Sequence, residues 1–578
     1  MRGSPASPGM AMVQLHKIFE PVIEVSEEKI IDPDGEMERL HKAMDQCAWQ
    51  LEELARTQDR AASEIIDFQR LMLEDTDYQG KIEILIRKEL HSCEYAVRSA
   101  TEEYCKCLRS MTDNDYLRER TADFSDLGQR LLRVLAGVET FPEPKDAYIA
   151  VAVDLTPSQV VGMDTRKVKG IVLEGGAPTA HAVIIAKSLD IPCLINTSGV
   201  MDGLTEGEVI LLDGFTGEVI TNPSQEQVQA FRTYEGKRRD ELQALEDYCN
   251  RATCTVDNWN MKIYANISTP RDVKRVVSQG GEGVGLYRTE LLYMEEAVAP
   301  PSEEKQFQAY TQAAKGLEGR PLIIRTLDVG GDKKIPYLDI PPEENPFLGY
   351  RAIRYCLDNQ DLFRTQLTAV LRASAYGKIA LMFPMITCMQ ELWDARALVE
   401  ECKDDLRKKG IAFDKAIKTG MMIETPAVAQ DAERFAREAD FFSIGTNDLA
   451  QYLFAADRVN PKVCGLNSYY QPGLLRAMAH VAAAARQAGI EVGICGRAGE
   501  IKRLVPLWVG MGIDELSVSP PSVARLRRVI CNLYKSTCEE LVDRVLQADT
   551  KEEVERLLDA FHPREEGKND YEAADGGK

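Results

Sequence analysis

Residues 420–448 read G-M-M-I-E-T-P-A-V-A-Q-D-A-E-R-F-A-R-E-A-D-F-F-S-I-G-T-N-D. Two short apolar runs of strand type, G-M-M-I-E and D-F-F-S-I-G, flank an amphipathic segment of helical type. Each run ends on polar groups: Glu424 closes the first, and Asn447 and Asp448 follow the second. A strand, a helix and a second strand in this order predict one unit of a parallel α/β fold.

The same alternation extends in both directions, from about residue 261 to residue 534. The further strand-type runs are K-I-Y-A-N-I, G-V-G-L-Y-R, P-L-I-I-R-T-L-D, I-A-L-M-F-P-M, E-V-G-I-C and E-L-S-V. Eight strands with intervening helices over about 270 residues predict a (β/α)8 TIM barrel. Because the chemistry of such barrels lies at the carboxyl ends of the strands, the residues there form the candidate site.

Three arginines stand at or near these strand ends. Arg288 closes the second strand, Arg325 closes the third with Asp328 just after it, and Arg458 follows the sixth. Taken singly, a strand-end arginine is often part of a surface ion pair. Together they suit a ligand with a phosphate and a carboxylate, because a guanidinium group binds either one in bidentate geometry.

Two carboxylates and a cysteine complete the set. Glu424 and Asp448 suit a single Mg²⁺ that keeps positions open for ligand oxygens. Cys495 closes the seventh strand and is placed to donate a proton, although a cysteine in an apolar strand is more often only part of the core. The whole set fits a small phosphorylated carboxylate.

A second candidate lies in E-G-G-A-P-T-A-H-A-V-I-I-A-K-S-L-D-I-P-C-L, residues 174–194. This run predicts a strand, a glycine-rich turn and a helix, with His181 at the turn. A neutral imidazole is a good nucleophile toward phosphorus, and a helix start together with Lys187 would favour a phosphoryl group. The five other histidines lie in positions typical of strands, charged helical faces or the chain end.

The amino-terminal part combines two types of pattern. Leu40, Met44, Cys47, Leu51 and Leu54 follow a 4-3-4-3 spacing, which predicts amphipathic helices. We therefore expect a multidomain α/β protein with these parts: an α/β domain from residues 1–36 and 145–223, an inserted helical domain at 37–144, a linker helix at 224–250, the barrel at 251–548, and an acidic tail at 549–578.

Composition narrows the class of protein. A net charge of −22 argues against nucleic acid as a partner, although a local arginine cluster can still bind an anionic metabolite. No apolar run approaches the ~18 residues that span a bilayer, so no membrane insertion is expected. The 14 cysteines include no C-x-x-C pair, which favours reduced thiols in a cytoplasmic protein over a zinc site.

Five stretches carry a family resemblance: G-L-Y-R-T-E-L-L-Y-M, R-T-L-D-V-G-G-D-K, E-E-N-P-F-L-G-Y-R-A-I-R, F-F-S-I-G-T-N-D-L-A-Q-Y and D-G-F-T-G-E-V-I-T-N-P. The chain resembles enzyme I of the bacterial sugar phosphotransferase system, a phosphoenolpyruvate-protein phosphotransferase, over nearly its whole length. The resemblance implies a swivelling phosphohistidine domain, a helical domain that docks the carrier protein HPr, and a barrel that binds phosphoenolpyruvate and forms a homodimer.

The resemblance also implies a role for each candidate residue. His181 would take the phosphoryl group and pass it to a histidine of HPr, the first step of sugar uptake by this system. Cys495 would protonate the enolate on its way to pyruvate. The phosphate and carboxylate would be held by Arg288, Arg325 and Arg458, the substrate would be oriented by Asn447, and Mg²⁺ would be bound by Glu424 and Asp448.

The chain departs from the family pattern in its loops. The family usually has A-G-G-R-T-S-H before the nucleophile and C-G-E at the proton donor, where this chain has G-G-A-P-T-A-H and C-G-R, with Arg497. Gln69 replaces a histidine of the helical domain, which predicts an altered docking surface. The alternatives are a divergent paralogue that serves another carrier and a regulatory protein that binds phosphoenolpyruvate. A dikinase-type synthase would need an ATP-binding domain that no segment here resembles.

Overall fold

The structure is a computed structural model that describes residues 1–19, 23, 25–26, 29–57, 68–110, 121–138, 144–156, 159–160, 163–164, 166–176, 181–188, 191–294, 296, 299–331, 335–458, 460 and 462–562. The chain divides into two compact units, residues 1–240 and 241–578. Within the described ranges, no helix is both long enough and apolar enough to cross a bilayer.

A seven-stranded sheet forms the α/β part of the first unit. Its strands are β1 Ser4–Ser7, β2 Met10–Ile18, β3 Tyr148–Ala152, β4 Val168–Leu173, β5 Cys193–Ile195, β6 Val209–Asp213 and β7 Glu218–Thr221, in the order β1-β5-β4-β3-β2-β6-β7. The central strands β2 to β5 are parallel, and β1, β6 and β7 add antiparallel edges. The region is therefore an α/β domain with a mainly parallel sheet.

Helices fill the interval between β2 and β3. They are α1 Pro33–Thr57, α2 Thr76–Arg87, α3 Cys93–Ser110 and α4 Thr121–Leu135, and residues 68–73 are helical as well. Leu40, Met44, Cys47 and Leu51 are buried as their spacing predicts, whereas the side chain of Leu54 lies outside the described residues. Two shorter helices follow in the sheet region, α5 His181–Ser188 and α6 Val200–Gly203.

A long helix, α7 Gln225–Cys249, occupies the predicted linker, and the boundary between the two units falls inside it. Its carboxyl end is held by Arg527, a buried side chain of the second unit. The Arg527 guanidinium donates to the carbonyls of Tyr248 at 2.8 Å and Cys249 at 3.1 Å. A cation that binds the last carbonyls of a helix stabilises its end.

Eight parallel strands close the barrel of the second unit, which confirms the predicted fold. They are β8 Lys262–Ile267, β9 Val284–Arg288, β10 Leu322–Arg325, β11 Ile379–Phe383, β12 Lys418–Ile423, β13 Phe441–Ile444, β14 Glu491–Ile494 and β15 Glu515–Val518. Seven of the eight predicted runs contain a whole strand, and the eighth, G-M-M-I-E, overlaps β12. Strand β15 pairs with β8 and β9 pairs with β10, so the sheet has no free edge.

Helices surround the barrel strands. They are α8 Val273–Ser278, α9 Glu290–Met294, α10 Glu303–Gly316, α11 Ile353–Asp358, α12 Gln360–Ala373, α13 Met389–Lys408, α14 Pro426–Gln430, α15 Ala432–Phe435, α16 Thr446–Leu453, α17 Pro472–Ala488, α18 Val505–Met511, α19 Val523–Ile530, α20 Lys535–Gln547 and α21 Lys551–Asp559.

The last of these helices corrects the predicted acidic tail. Residues 551–559 form α21, whose first turn is capped by the Thr550 hydroxyl and whose Val554 and Leu558 are buried. Most residues of this segment are charged, but Val554 and Leu558 are four positions apart and so share one helical face. A tail from residue 549 is therefore wrong up to residue 562, and residues 563–578 lie outside the described residues.

Leu558→Ala tests this correction. If α21 packs on the barrel unit, loss of the buried side chain lowers the free energy of unfolding by about 2–4 kcal/mol. Leu557→Ala is the matched control, because Leu557 is partly exposed on the same helix and its truncation costs less. Urea unfolding followed by circular dichroism measures both, and equal effects would contradict the observed packing.

Candidate active site

Two predicted arginines lie side by side at the carboxyl ends of neighbouring strands. Arg288 ends β9 and Arg325 ends β10, and the two residues are partners in the register of this strand pair. Arg288 is exposed, whereas Arg325 is buried. Parallel pairing therefore places two cations at the same edge of the barrel, as the strand-end rule predicts.

Buried carboxylates hold the Arg325 side chain. Its guanidinium pairs with Glu290 of α9 and lies 3.1 Å from Oδ2 of Asp328. Burial disfavours the charged form, but the two carboxylates outweigh it and raise the pKa of Arg325. Arg325 is thus a fixed cation whose orientation is set by its partners.

Arg351 is a fourth arginine at this site, and strand-end reasoning misses it. It follows the 3₁₀ turn at Pro346–Leu348, and its Nη2 donates to Oδ1 of Asp328 at 2.8 Å. Its Nη1 donates to the hydroxyl of Tyr452 at 3.1 Å and lies 3.4 Å from Oδ1 of Asp448. The only sequence signal for Arg351 is its place in the family stretch E-E-N-P-F-L-G-Y-R-A-I-R.

A glycine makes room for Arg351. A Cβ on Gly330, which has φ +102°, would lie 2.5 Å from Cβ of Arg351. The next residue, Ala352, adopts φ +51°, a region that residues with a Cβ rarely occupy. Strained backbone of this kind is maintained only where the surroundings enforce it, and it is common at functional sites.

Asp448 and Arg458 meet as the sequence predicts. Asp448 lies in the first turn of α16, and its Oδ1 accepts a hydrogen bond from Nη1 of Arg458 at 3.1 Å. The Arg458 guanidinium also stacks over the ring of Phe347, 5.1 Å from the ring centre. Asp448 therefore joins Arg351 and Arg458 in one continuous network.

Glu424 follows β12 and is fully buried. Its Oε1 accepts the backbone N–H of Met385 at 2.6 Å, while its Oε2 has no hydrogen-bond partner within the described structure. A Cβ on Gly445 would lie 2.7 Å from Oε2, so the glycine leaves space in front of that oxygen. Burial, Asp448 and Asp328 raise the pKa of Glu424, which indicates a carboxyl that lacks sufficient positive charge.

These observations fit a cation at the predicted place. Glu424 presents an unpaired buried oxygen, and Asp448 is close enough for its charge to act on Glu424. Among the described residues, no group of three or more histidine, cysteine or carboxylate side chains is arranged to hold a metal. Mg²⁺ is commonly bound by one or two carboxylates with water and substrate oxygens, so two ligands are sufficient.

Cys495 and Asn447 also lie at this end of the barrel. Cys495 is buried, and burial is the main cause that raises the pKa of its thiol to about 11; the charges of Glu424 and Arg325 also act on it. The thiol therefore stays protonated at neutral pH, as a proton donor must. Oδ1 of Asn447 accepts from the Tyr469 hydroxyl at 2.8 Å and from the backbone N–H of Arg497 at 3.1 Å.

The departures from the family pattern have different structural consequences. Arg497 is exposed beside Asn447, whereas the carboxylate of Glu500 accepts the backbone N–H of Ser519. Gln69 is fully buried, and its amide donates to Oδ2 of Asp126 at 2.9 Å. Gln69 therefore has no exposed surface of its own, and the altered docking surface stays a prediction.

His181 is the first residue of α5, in the first unit of the chain. This confirms a helix that begins at the histidine, and Lys187 lies in its last turn. The side chain of His181 and residues 177–180 lie outside the described residues. The role assigned to His181 stays a prediction.

Comparison with known proteins identifies related families. Three family models match consecutive segments: PEP-utilising enzyme, N-terminal, at residues 2–120; PEP-utilising enzyme, mobile domain, at 144–217; and PEP-utilising enzyme, PEP-binding domain, at 243–534. The chain is 39% identical over 569 residues to a phosphoenolpyruvate-protein phosphotransferase of Latilactobacillus sakei, with 97% of this chain and 99% of the relative covered.

Two further relatives have the same name. That of Staphylococcus carnosus (strain TM300) is 38% identical over 573 residues, and that of Listeria innocua serovar 6a is 39% identical over 568 residues. In both cases the match covers 97% of this chain and 99% of the relative. The similarity therefore extends over both compact units.

Proposed function

The chain belongs to the phosphoenolpyruvate-protein phosphotransferase family, and we propose that it transfers the phosphoryl group of phosphoenolpyruvate to its own His181 and then to a histidine of the carrier protein HPr. The observation that carries this function is the network of Arg325, Arg351 and Arg458 with buried carboxylates at the strand ends. Such a network suits a small ligand with both phosphate and carboxylate groups.

Each residue of the network has a part in binding. Arg288 and Arg325, at neighbouring strand ends, hold the phosphate. Arg458, which follows α16, binds the carboxylate. Asp328 and Asp448 keep Arg325, Arg351 and Arg458 oriented before the substrate arrives, so little ordering is needed on binding. Preorganised positive charge of this kind is the main contribution of a protein to phosphoryl transfer.

Glu424 and Asp448 would hold Mg²⁺. When bound, Mg²⁺ neutralises charge on the phosphate oxygens during transfer. The orphaned Oε2 of Glu424 and the space left by Gly445 support this assignment. Cys495, with its protonated buried thiol, gives a proton to the methylene carbon of the enolate and so forms pyruvate.

The wider setting follows from family membership. The protein would act in the cytoplasm, as a homodimer through its barrel, at the first step of sugar uptake by the phosphotransferase system. The changed loop at Arg497 leaves open a related carrier in place of HPr.

Incubation with radiolabelled phosphoenolpyruvate and Mg²⁺ tests the proposal. The expected result is one acid-labile, base-stable label on the protein, as for a phosphohistidine, with pyruvate released in equal amount. Chelation of Mg²⁺ prevents labelling, and added HPr removes the label. Binding of phosphoenolpyruvate without labelling would instead identify a regulatory protein.

Arg351→Lys tests the residue that strand-end reasoning misses. Lysine keeps the charge but cannot contact Asp328, Asp448 and Tyr452 together. Loss of one charged hydrogen bond costs about 1.5–3 kcal/mol, or roughly tenfold to a hundredfold in kcat/KM for phosphoenolpyruvate. Arg354→Lys is the control, because within the described residues Arg354 donates to the carbonyls of Leu348 and Gly349 and to no side chain of the site. Equal kcat/KM in wild type and Arg351→Lys would contradict a role in orienting the site.

A further inference from the structure

The lumen of the barrel contains a second carboxyl group, that of Glu515, which the proposed function does not use. Glu515 begins β15, at the amino-terminal end of the barrel. The alternate residues Leu516 and Val518 pack in the core that strands and helices share, so Glu515 and Ser517 face the lumen. Within the described part of the chain, the Glu515 carboxyl makes no hydrogen bond or ion pair.

Glycines clear the space around this carboxyl. A Cβ on Gly285 would lie 1.9 Å from Oε1 of Glu515 and 2.7 Å from Oγ of Ser517. A Cβ on Gly493 would lie 3.2 Å from Oε2. The Glu515 carboxyl therefore occupies the space that these two glycines leave in the lumen.

The strand register connects Glu515 with Cys495 by way of Ser443. Gly493 is paired with Ser443 on one side and with Glu515 on the other. Ser443 is buried, and its hydroxyl hydrogen-bonds the Cys495 thiol. Because Gly493 has no side chain, the Glu515 carboxyl lies over it on the side toward Ser443, and the charge of Glu515 acts on Cys495.

Glu515 also lies at the amino-terminal mouth of the barrel. Glu515 is only half-buried, and the exposed Lys262 and Glu491 form an ion pair of 2.7 Å at that mouth. The charged or titratable groups that face Glu515 are Lys262, Glu491, Asp514 and Tyr264. The balance of burial and these charges raises the pKa of Glu515 to about 8, so the carboxyl carries a proton at neutral pH.

We propose that Glu515 and Ser443 form a proton relay that restores the proton of Cys495 from solvent at the amino-terminal mouth of the barrel. This proposal rests on the proposed function, since it takes Cys495 as the donor to the enolate. A buried thiol that has given up its proton has to regain one before the next net turnover. Substrate covers the carboxyl end of the barrel during catalysis, and the relay uses the opposite end.

The relay is balanced in protons and breaks no other bonds. The S–H bond of Cys495 breaks as a C–H bond forms at the methylene carbon of the enolate, which leaves a thiolate. The Ser443 hydroxyl gives its proton to this thiolate and takes one from the Glu515 carboxyl, directly or through one water molecule beside Gly493. The resulting Glu515 carboxylate is reprotonated by water at the mouth.

Exchange of isotopes between pyruvate and phosphoenolpyruvate isolates this step. In deuterated water, ¹³C-labelled pyruvate is converted to phosphoenolpyruvate because phosphorylation of the protein is reversible. Carbon exchange does not need the relay, because the proton that Cys495 removes from pyruvate can return to the enolate. Deuterium enters the methylene carbon only if the Cys495 proton first exchanges with solvent. Mass spectrometry measures deuterium per ¹³C in phosphoenolpyruvate.

In wild type we expect deuterium incorporation to keep pace with carbon exchange. Glu515→Gln, an isosteric change of a protonated carboxyl, should lower the deuterium-to-carbon ratio by about a hundredfold, the lower end of the range for a proton-transfer group. Ser443→Ala should lower the same ratio and Ser443→Thr should restore it. Glu491→Gln removes a carboxylate at the mouth that is not part of the relay, so it should leave the ratio unchanged.

The outcomes separate the relay from the proposed function. A Glu515→Gln protein with the wild-type ratio overturns the relay, and so does one in which carbon and deuterium exchange fall together, because that indicates a structural role. If Glu515→Gln does not fold, Ser443→Ala takes its place, and a wild-type ratio in that variant overturns the relay. Absence of carbon exchange in wild type overturns the proposed function and the relay with it.

Discussion

Replacing His181 with Ala is expected to abolish covalent labelling of the protein by radiolabelled phosphoenolpyruvate. A neutral imidazole is nucleophilic toward phosphorus. His181 is the first residue of α5, and the positive end of a helix favours a phosphoryl group. Alanine keeps the helix and removes the nucleophile. Loss of a sole nucleophile removes the covalent step, so labelling should fall to background.

Binding of phosphoenolpyruvate by His181→Ala should persist, because the arginine network lies in the barrel unit and His181 belongs to the first unit. Stabilisation against heat by phosphoenolpyruvate and Mg²⁺ measures this, since a ligand that binds only the folded state raises Tm. His480→Ala is the matched control: His480 lies on α17, 3.5 Å from Glu433, and its loss should leave labelling intact. Persistent labelling of His181→Ala would identify another nucleophile.

The barrel strands were predictable because of where parallel strands lie. One face of each strand packs against helices and the other faces the barrel interior, so both faces are buried. The sequence of each strand is therefore a short, nearly continuous apolar run. Strand β1 gives no such signal: S-P-A-S is small and polar, and it forms an edge strand through its pairing with β5. Helix α21 was missed for a related reason, since its two buried positions are outnumbered by charges.

The site was predictable only where strand ends define it. Arg325 ends a strand, Glu424 and Cys495 directly follow strands, and Asp448 lies four residues after one, so the barrel rule alone places them at one edge. Arg351 stands in a loop, and its approach to Asp328 depends on Gly330 and on the strained turn at Ala352. Such contacts depend on tertiary structure and leave no periodic signal in the sequence.

Glu515 shows a further limit of sequence patterns. It stands in the apolar run E-L-S-V. Leu516 and Val518 face outward and Glu515 faces the lumen, which is visible only once the barrel is closed. Two other strands carry glycines, Gly285 and Gly493, where a side chain would take the space of the Glu515 carboxyl. A glycine in a strand indicates close approach, but it does not say which residue comes close.

Arg325→Met is expected to reduce both activity and stability, for separable reasons. Removing the cation that is proposed to hold the transferred phosphate should lower kcat/KM for phosphoenolpyruvate by about 10³-fold or more, as for other arginines that stabilise phosphoryl transfer. The change also breaks the buried ion pair of Arg325 with Glu290, which costs about 3–5 kcal/mol of folding free energy. Asp328 keeps Arg351 as a partner, so the lower part of that range is expected.

The double variant Arg325→Met with Glu290→Gln separates the two effects. Glu290→Gln removes the carboxylate charge that Arg325 no longer neutralises, so much of the lost stability should return while kcat/KM stays low. Arg372→Met is the matched control: Arg372 also pairs with two carboxylates, Glu303 and Glu304, but on the outer helices α10 and α12. Its loss should reduce stability without changing kcat/KM. If the double variant regains activity along with stability, Arg325 supports the fold of the barrel and does not bind the phosphate.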